Sequence, residues 1–395
     1  MNILYIHPAG TFGGASKSLT ELFLVLKQHH VTGYVITPKG SSAKEFAKAG
    51  MHTIETLGLT QFDNTRFGYY RKWRWIILIR ELFFLPFSIM ALMQAKRLVI
   101  QFDLIHVNEI TLLPVAVIAK WIFHIPMVMH IRSLQRSDSG VLTRLYYKVL
   151  GKTIDTIICI DDTVKSSVPT SVDSVVIHNG INVGDVNVQH LNASKAQVNV
   201  GLVGVLLRLK GVYEFIEAAK ILATESIIKT KFILVGENAR KTGGITAWFY
   251  KRFQFSEDVY SEVEQYIKQN NLYHQIELRG AISDITTFYP EIDILCFPSY
   301  LNACGRPVFE AAFFGIPSIV AVSNPTSDTI QHGVTGITIA KPDARFLADA
   351  ISLLANDYEY REKLGLQAKM FVNESFDINK NAQVVLAEYA KLVPS

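Results

Sequence analysis

The chain has 395 residues, with 39 lysines and arginines against 35 aspartates and glutamates, a net charge of +4 and a hydrophobic fraction of 49%. That length implies two or three domains with large cores. Three widely spaced cysteines (Cys159, Cys296 and Cys304) exclude a disulfide framework or a zinc module and fit a reducing cytoplasm.

Short apolar runs alternate with helical patterns along the whole chain, the signature of parallel α/β domains. The N-terminal Met-Asn-Ile-Leu-Tyr-Ile-His-Pro reads as a first strand and lacks the basic start and cleavage site of a secretory signal. In the first half the pattern predicts strands at 2–7, 33–37, 103–107, 126–130, 156–160 and 174–178. A helix over 16–27 opens after Gly13-Gly14. These glycines suit either backbone amides facing a ligand or a tight strand-to-helix turn.

The segment 66–100 interleaves bases and aromatics in Tyr69-Tyr70-Arg71-Lys72-Trp73-Arg74-Trp75, then runs apolar to Met93. It carries seven basic residues and one acidic residue. Two readings stay open: a peripheral membrane contact, since Trp, Tyr and Arg favour the interface and cations are drawn to anionic lipid, or a packed helix pair. The apolar run over 76–93 contains Arg80, Glu81 and Pro86, which argues against a spanning helix. No recognised nucleic-acid module accompanies the basic residues, so no nucleic-acid partner is expected.

His130 ends an apolar strand, where a ligand would lie in a doubly wound sheet, and Arg132 shares its loop. Histidines at such positions also serve purely structural roles. The Asn179-Gly180 turn and the polar stretch after it place a domain boundary near 183/184.

In the second half, strands are predicted near 198–203, 230–235, 275–279, 293–297, 317–322 and 336–339, with helices near 211–224, 257–270, 306–314, 343–355, 358–372 and 378–392. Lys210, with Arg208 nearby, follows the loop that opens at Gly204, where a cation can neutralise a diphosphate or simply be solvated. An apparent insertion over 237–255 suits a lid, a membrane contact or a partner interface.

The densest signal is Ser299-Tyr-Leu-Asn302-Ala303-Cys304-Gly305-Arg306-Pro307-Val-Phe-Glu310. Pro307 suits a first helical turn. The backbone N–H groups around Cys304, Gly305 and Arg306 would then stand at a helix N-terminus, ready for anions and hydroxyls. Glu310, one turn in, can accept two hydrogen bonds from a vicinal diol such as a ribose, or can be a carboxylate stabilised by the helix dipole.

This segment resembles the donor-site signature of retaining glycosyltransferases of family 4, E-x-F-G-L-P-x-x-E-A-x-A-x-G-x-P-V. Gly305, Pro307, Glu310, Ala311, Gly315 and Pro317 match in register, while Asn302 stands in place of the first glutamate. Phe102-Asp-Leu-Ile-His106, Val203-Gly204…Lys210-Gly211, Ile233-Leu-Val-Gly236, Leu278-Arg-Gly280, Phe297-Pro-Ser299 and Gly333-Val-Thr-Gly336 are similar to further family elements in the same order. Val205 stands where the family has an arginine, and Asn182 where an aspartate is usual.

The resemblance implies an α/β GT-B fold of two Rossmann-like domains facing an interdomain cleft. Residues 1–183 would form the acceptor-side domain and 184–377 the nucleotide-sugar domain, with 378–395 a closing helix that returns to the first. It implies transfer of a sugar, with retention, from a nucleoside-diphosphate sugar to a hydroxyl of a glycan or lipid-linked glycan. A bacterial polysaccharide or glycolipid pathway at the cytoplasmic face of the membrane fits this reading. It implies catalytic roles for His130, Lys210 and Glu310. Donor contacts would come from Gly14, Arg208, Lys210, Asn302, Ala303, Cys304, Gly305, Arg306 and Glu310, and acceptor-side contacts from Gly13 and Arg132. Asp328 corresponds to an acidic turn residue expected to be structural. The absence of any Asp-x-Asp motif sets no metal-clamped diphosphate in prospect and no cofactor beyond the donor.

Two other classes compete. The changes at Asn302 and Val205 suit a non-catalytic GT-B partner or regulatory subunit of a transferase. A nucleotide-dependent oxidoreductase or epimerase is disfavoured, because Gly13-Gly14 lacks the G-x-G-x-x-G spacing and Thr37-Pro-Lys-Gly40 offers no ribose-binding acid.

Overall fold

The computed structural model describes residues 1–66, 68, 77–98, 100–136, 140–182, 197–225, 228–238, 258–282 and 284–393. Three segments singled out above fall wholly or mainly outside these: the aromatic-basic run at 69–75, the linker after Asn182 and most of the insertion over 237–255. The chain forms two compact units, Met1–Asn182 with Phe376–Ser395, and Val183–Ser375.

The first unit is a parallel sheet in the order β3-β2-β1-β4-β5-β6-β7. Its strands are β1 (Asn2–Ile6), β2 (Thr32–Pro38), β3 (His52–Thr56), β4 (Leu104–Val107), β5 (Met127–Ile131), β6 (Thr156–Cys159) and β7 (Ser174–Val176). Side chains along β1 alternate between two cores. Leu4 and Ile6 pack with helices α3 (Ile77–Lys96), α4 (Leu113–Phe123) and α5 (Val141–Thr153) on one face. Ile3 and Tyr5 pack with α1 (Gly14–Gln28), α2 (Ser41–Ala49) and the C-terminal helix (Ile378–Leu392) on the other. Burial on both faces explains why these strands are continuous apolar runs. A short helix, α6 (Asp162–Ser167), follows β6 and is capped by Asp161, which accepts from the Val164 N–H.

The second unit is a parallel sheet in the order β10-β9-β8-β11-β12-β13. Its strands are β8 (Gln197–Val203), β9 (Lys229–Val235), β10 (Ile276–Gly280), β11 (Ile294–Phe297), β12 (Ser318–Ala321) and β13 (Gly336–Ile339). Its helices among the described residues are α7 (Val212–Glu225), α8 (Val259–Gln269), α9 (Arg306–Phe313), α10 (Ala344–Asn356) and α11 (Tyr358–Ser375). The C-terminal helix is α12.

Both sheets are doubly wound. The chain leaves the first strand in one direction and returns to its other side, which makes a switch point between β1 and β4 and another between β8 and β11. Ligands of such sheets bind at the strand C-termini beside that point.

The α3 segment is one helix with Pro86 inside it, long and apolar enough by length and composition to cross a membrane. Only about a fifth of it is buried (22%). Its packed face is narrow: Ala91, Leu92 and Ala95 join the core, Ser88 is buried beside them, and buried Glu81 accepts from the Gln61 N–H and pairs with Arg80. Several of its large apolar residues face outward, among them Ile79, Leu82, Phe83 and Met90. The interruptions at Arg80, Glu81 and Pro86 therefore leave the helix whole, and it lies as one layer of the domain.

Candidate functional site

The second unit gathers its signature residues at its switch point. After β8 the chain turns at Gly204, whose φ of 147° belongs to glycine and in front of which no atom lies within 4 Å of an added Cβ. It then enters a 3₁₀ turn, Arg208–Lys210. After β11 come Pro298, Ser299 and the loop to α9. The Leu209 carbonyl joins the two, accepting from the Tyr300 N–H at 2.9 Å and the Ser299 hydroxyl at 3.1 Å. Gly211 packs so tightly on the Pro298 carbonyl that a Cβ there would stand 1.8 Å away.

Lys210 projects from this junction with its ammonium 5.1 Å from the centre of the Phe297 ring. Burial holds its pKa below the usual lysine range. No ion pair engages it among the described residues. Arg208, by contrast, is exposed, ion-paired with Glu262 and stacked on Tyr213.

Gly305 caps α9 in an extended conformation (φ −107°), and Pro307 sits in the first turn. A Cβ on Gly305 would meet the Phe297 ring at 2.3 Å, so packing alone demands glycine there. Glu310 is buried; one oxygen accepts from Arg306 Nε at 2.8 Å and the other from the Tyr289 hydroxyl at 2.7 Å. Burial and the adjacent carboxylate push the Tyr289 hydroxyl well up, so it remains a donor to Glu310. Ala303 and Cys304 are half-buried on the loop before the cap. Asn302 adopts a left-handed backbone (φ 52°), and its Oδ1 accepts from the Ser323 N–H and hydroxyl at 2.8 and 3.1 Å. Asparagine tolerates that conformation better than glutamate. Asp328, five residues before Gly333, lies in a turn with a buried carboxylate oxygen.

The first unit builds a second polar cluster at its own switch point. His7 follows β1 and Asn108 follows β4; His7 Nδ1 lies 2.8 Å from Asn108 Nδ2, and His7 Nε2 lies 2.9 Å from Ser16 Oγ. Arg132, just past β5, donates to Asn108 Oδ1 at 2.9 Å and to Asn179 Oδ1. Burial, then the Arg132 guanidinium, push His7 and His106 down to about 3. His130 is pushed well down by the same causes. These imidazoles are neutral at pH 7.

His130 is 3% exposed and lies under Ser18, Leu22, Ile378, Asn381 and Val385, beside a space of about 10 Å³. Its Nδ1 lies 3.4 Å from both Arg132 Nη2 and His106 Nε2, and its Nε2 has no hydrogen-bond partner among the described residues. His106 Nδ1 bonds the Tyr389 hydroxyl of α12, so the last helix closes this cluster from the far end of the chain. Gly13 and Gly14 begin α1 with nothing within 4 Å of an added Cβ and without positive φ. Steric need for a tight turn does not account for them.

Sequence reasoning missed Glu109, which follows Asn108 at the end of β4. Its Oε1 accepts from the Ile110 N–H at 2.9 Å and the Ser133 hydroxyl at 3.2 Å, and burial pushes its pKa up. The available signal was position: His7, Asn108 and Glu109 are polar residues directly after buried strands. Among the described residues no group of three or more His, Cys, Asp or Glu side chains could hold a metal ion.

Residues 12–185 match the family model for Glycosyltransferase Family 4, and 186–371 match that for Glycosyl transferases group 1. A 177-residue stretch is 24% identical to the capsular polysaccharide biosynthesis glycosyltransferase CapM of Staphylococcus aureus, covering 45% of this chain and 42% of that protein. A 138-residue stretch is 29% identical to a D-inositol 3-phosphate glycosyltransferase of Paenarthrobacter aurescens, covering 32% and 33%. The matches thus span less than half the length of these curated relatives. The crystal structure of Anabaena Alr3699/HepE in complex with UDP and glucose superposes with a TM-score of 0.75 at 19% identity, covering 99% of this chain and 100% of that one. The fold is GT-B, as the sequence leads one to expect: two Rossmann-like domains with parallel sheets.

Proposed function

We propose that the protein is a glycosyltransferase that moves a sugar from a nucleoside-diphosphate sugar to a hydroxyl of a glycan or lipid-linked glycan, with retention, in bacterial polysaccharide or glycolipid synthesis. The observation that carries this reading is Lys210, a partly desolvated cation at the switch point that makes no ion pair among the described residues and rests on the Phe297 ring, which also packs on the Gly305 helix N-terminus.

In the reaction, the bond from the anomeric carbon to the diphosphate oxygen breaks and a bond to the acceptor oxygen forms. The acceptor proton passes to the departing diphosphate. Lys210 and the backbone amides at 304–306 stabilise the charge that builds there. Glu310, held by Arg306 and Tyr289, accepts from the ribose hydroxyls. Arg208 is already engaged by Glu262, which leaves Lys210 as the diphosphate cation. On the first domain Gly13 and Gly14 let the acceptor or donor approach the α1 amides, and Arg132 and Glu109 orient the hydroxyl. His130, buried and neutral, fixes Arg132. The outward apolar residues of α3 make a peripheral contact with the membrane surface.

A second reading, a non-catalytic GT-B partner, is favoured by Asn302, whose side chain is tied to Ser323 where an acidic residue is expected. Release of nucleoside diphosphate from a panel of nucleotide sugars, with bacterial lipid extract as acceptor source, separates the two. The transferase reading predicts acceptor-dependent release with one donor, lost in Lys210→Met. Equal background release by both proteins would support the partner.

A further inference from the structure

The first domain has an open groove of about 690 Å³ that the candidate site does not use, a volume typical of small-molecule sites. Its floor is the C-terminal ends of β2 and β3, where Lys39, Glu55 and Leu57 stand; its wall is the second half of α3, with Met90 and Met93, and Arg97 just past the helix end. The wall runs roughly 15 Å at helical rise.

The groove is amphiphilic. Leu57, Met90 and Met93 offer exposed apolar surface. Thioether side chains adapt to a flexible chain. Lys39 and Arg97 are exposed at the rim, and neither makes an ion pair with a described residue; Glu55 is the one carboxylate in the lining. Two cations beside an apolar trough complement an anionic headgroup on a hydrocarbon chain. The outward face of the same helix, with Ile79, Leu82 and Phe83, continues the apolar surface away from the groove.

One lining residue of the groove, Lys39, touches the loop that follows β1. Gly10 and Gly40 pack so closely that a Cβ on Gly40 would lie 2.2 Å from the Gly10 carbonyl, and the Phe12 N–H donates to Ser41 Oγ at 2.8 Å. Lys39 is thereby held beside the loop leading to Gly13 and Gly14.

We propose that this groove binds the phosphate and the first stretch of hydrocarbon of a lipid-linked acceptor, with Lys39 and Arg97 on the phosphate and Leu57, Met90 and Met93 on the chain. The inference rests on the transferase reading for the identity of its ligand as an acceptor. It leaves the sugar end of that acceptor near Gly13 and Arg132.

The test is calorimetric binding of dodecyl phosphate below its micellar concentration to the full chain, with dodecyl maltoside and inorganic phosphate as controls. Arg97→Glu and Met90→Asp change exposed side chains, and an unchanged Tm verifies their fold. Dodecyl phosphate should bind more tightly than either control, about fivefold more weakly in Arg97→Glu and about tenfold more weakly in Met90→Asp. Absence of binding, equal binding of dodecyl maltoside, or unchanged affinity in both variants would overturn the proposal. So would concentration-dependent dimerisation abolished by Met90→Asp, which would make the groove an interface between copies. UDP, GDP, ADP and CDP titrated into the same samples keep the two readings apart. Nucleotide binding without lipid binding overturns the groove alone; lipid binding without nucleotide binding overturns the transferase and leaves a lipid-phosphate site.

Discussion

Lys210 rests its ammonium over the ring of Phe297, and the same ring blocks any side chain larger than hydrogen at Gly305. One aromatic thus sets both the cation and the helix N-terminus that face the switch point. Lys210→Met should lower kcat/KM for the best nucleotide sugar about 100-fold, the scale of losing one charge-stabilising group, with Tm nearly unchanged. Steady-state kinetics and a melting curve check it; a loss below threefold would remove Lys210 from the diphosphate.

The depressed pKa of Lys210 predicts a pH dependence. A diphosphate favours the protonated amine, so binding is full below the free-protein pKa and weakens as pH rises through it. The basic limb of nucleotide affinity should fall below the usual lysine range and disappear in Lys210→Arg. Titrations from pH 7 to 10 would show it. A flat wild-type profile over that range contradicts the assignment.

Gly14→Ala and Gly305→Ala should differ in kind. Gly14 faces open space, so alanine there should change stability by less than about 1 kcal/mol yet reduce turnover by crowding the ligand. Gly305→Ala drives a methyl into Phe297 and should cost about 1–3 kcal/mol. Urea unfolding and kcat/KM, measured on both, separate ligand approach from packing.

Much of the fold was legible. Strands such as β1 are buried on both faces, so their apolar runs stand out. β3 escapes that criterion because, within His52–Thr56, only Ile54 and Thr56 are buried. α2 escapes as well, being nine residues of mixed serine, lysine and alanine. The site was legible where one continuous segment carries it, as at 302–310. His7, Asn108 and Glu109 were not, because they converge only through the strand order: His7 and Asn108 are 101 positions apart in the chain, and what unites them is the β1–β4 switch point.

The buried imidazoles predict acid sensitivity of the first domain. His7 and His106 titrate near 3 when folded against about 6.5 when unfolded. The unfolded chain therefore binds more protons between these values, so their contribution is complete above about pH 6.5 and is lost as pH falls toward 3. Stability at pH 5 should be lower than at pH 7 by roughly 2 kcal/mol per buried histidine. Urea unfolding at the two pH values measures it, and His106→Asn should lessen the difference.

Asn302 offers a direct comparison of the two functional readings. Glutamate there should cost about 1–2 kcal/mol, through its left-handed backbone and the loss of the bonds from Ser323. Under the transferase reading, Asn302→Asp should keep both the fold and turnover, because a carboxylate oxygen still accepts from Ser323. Turnover that appears only in Asn302→Glu would mark the natural chain as a non-catalytic partner.

The most direct measurement is calorimetric titration of the purified chain with UDP, GDP, ADP and CDP in chelator-containing buffer, repeated on Glu310→Gln. The account predicts that one nucleotide binds and that the variant, with its ribose acceptor weakened, binds it at least about tenfold less tightly. A folded protein that binds none of the four, or binds one with the same affinity in the variant, would contradict it.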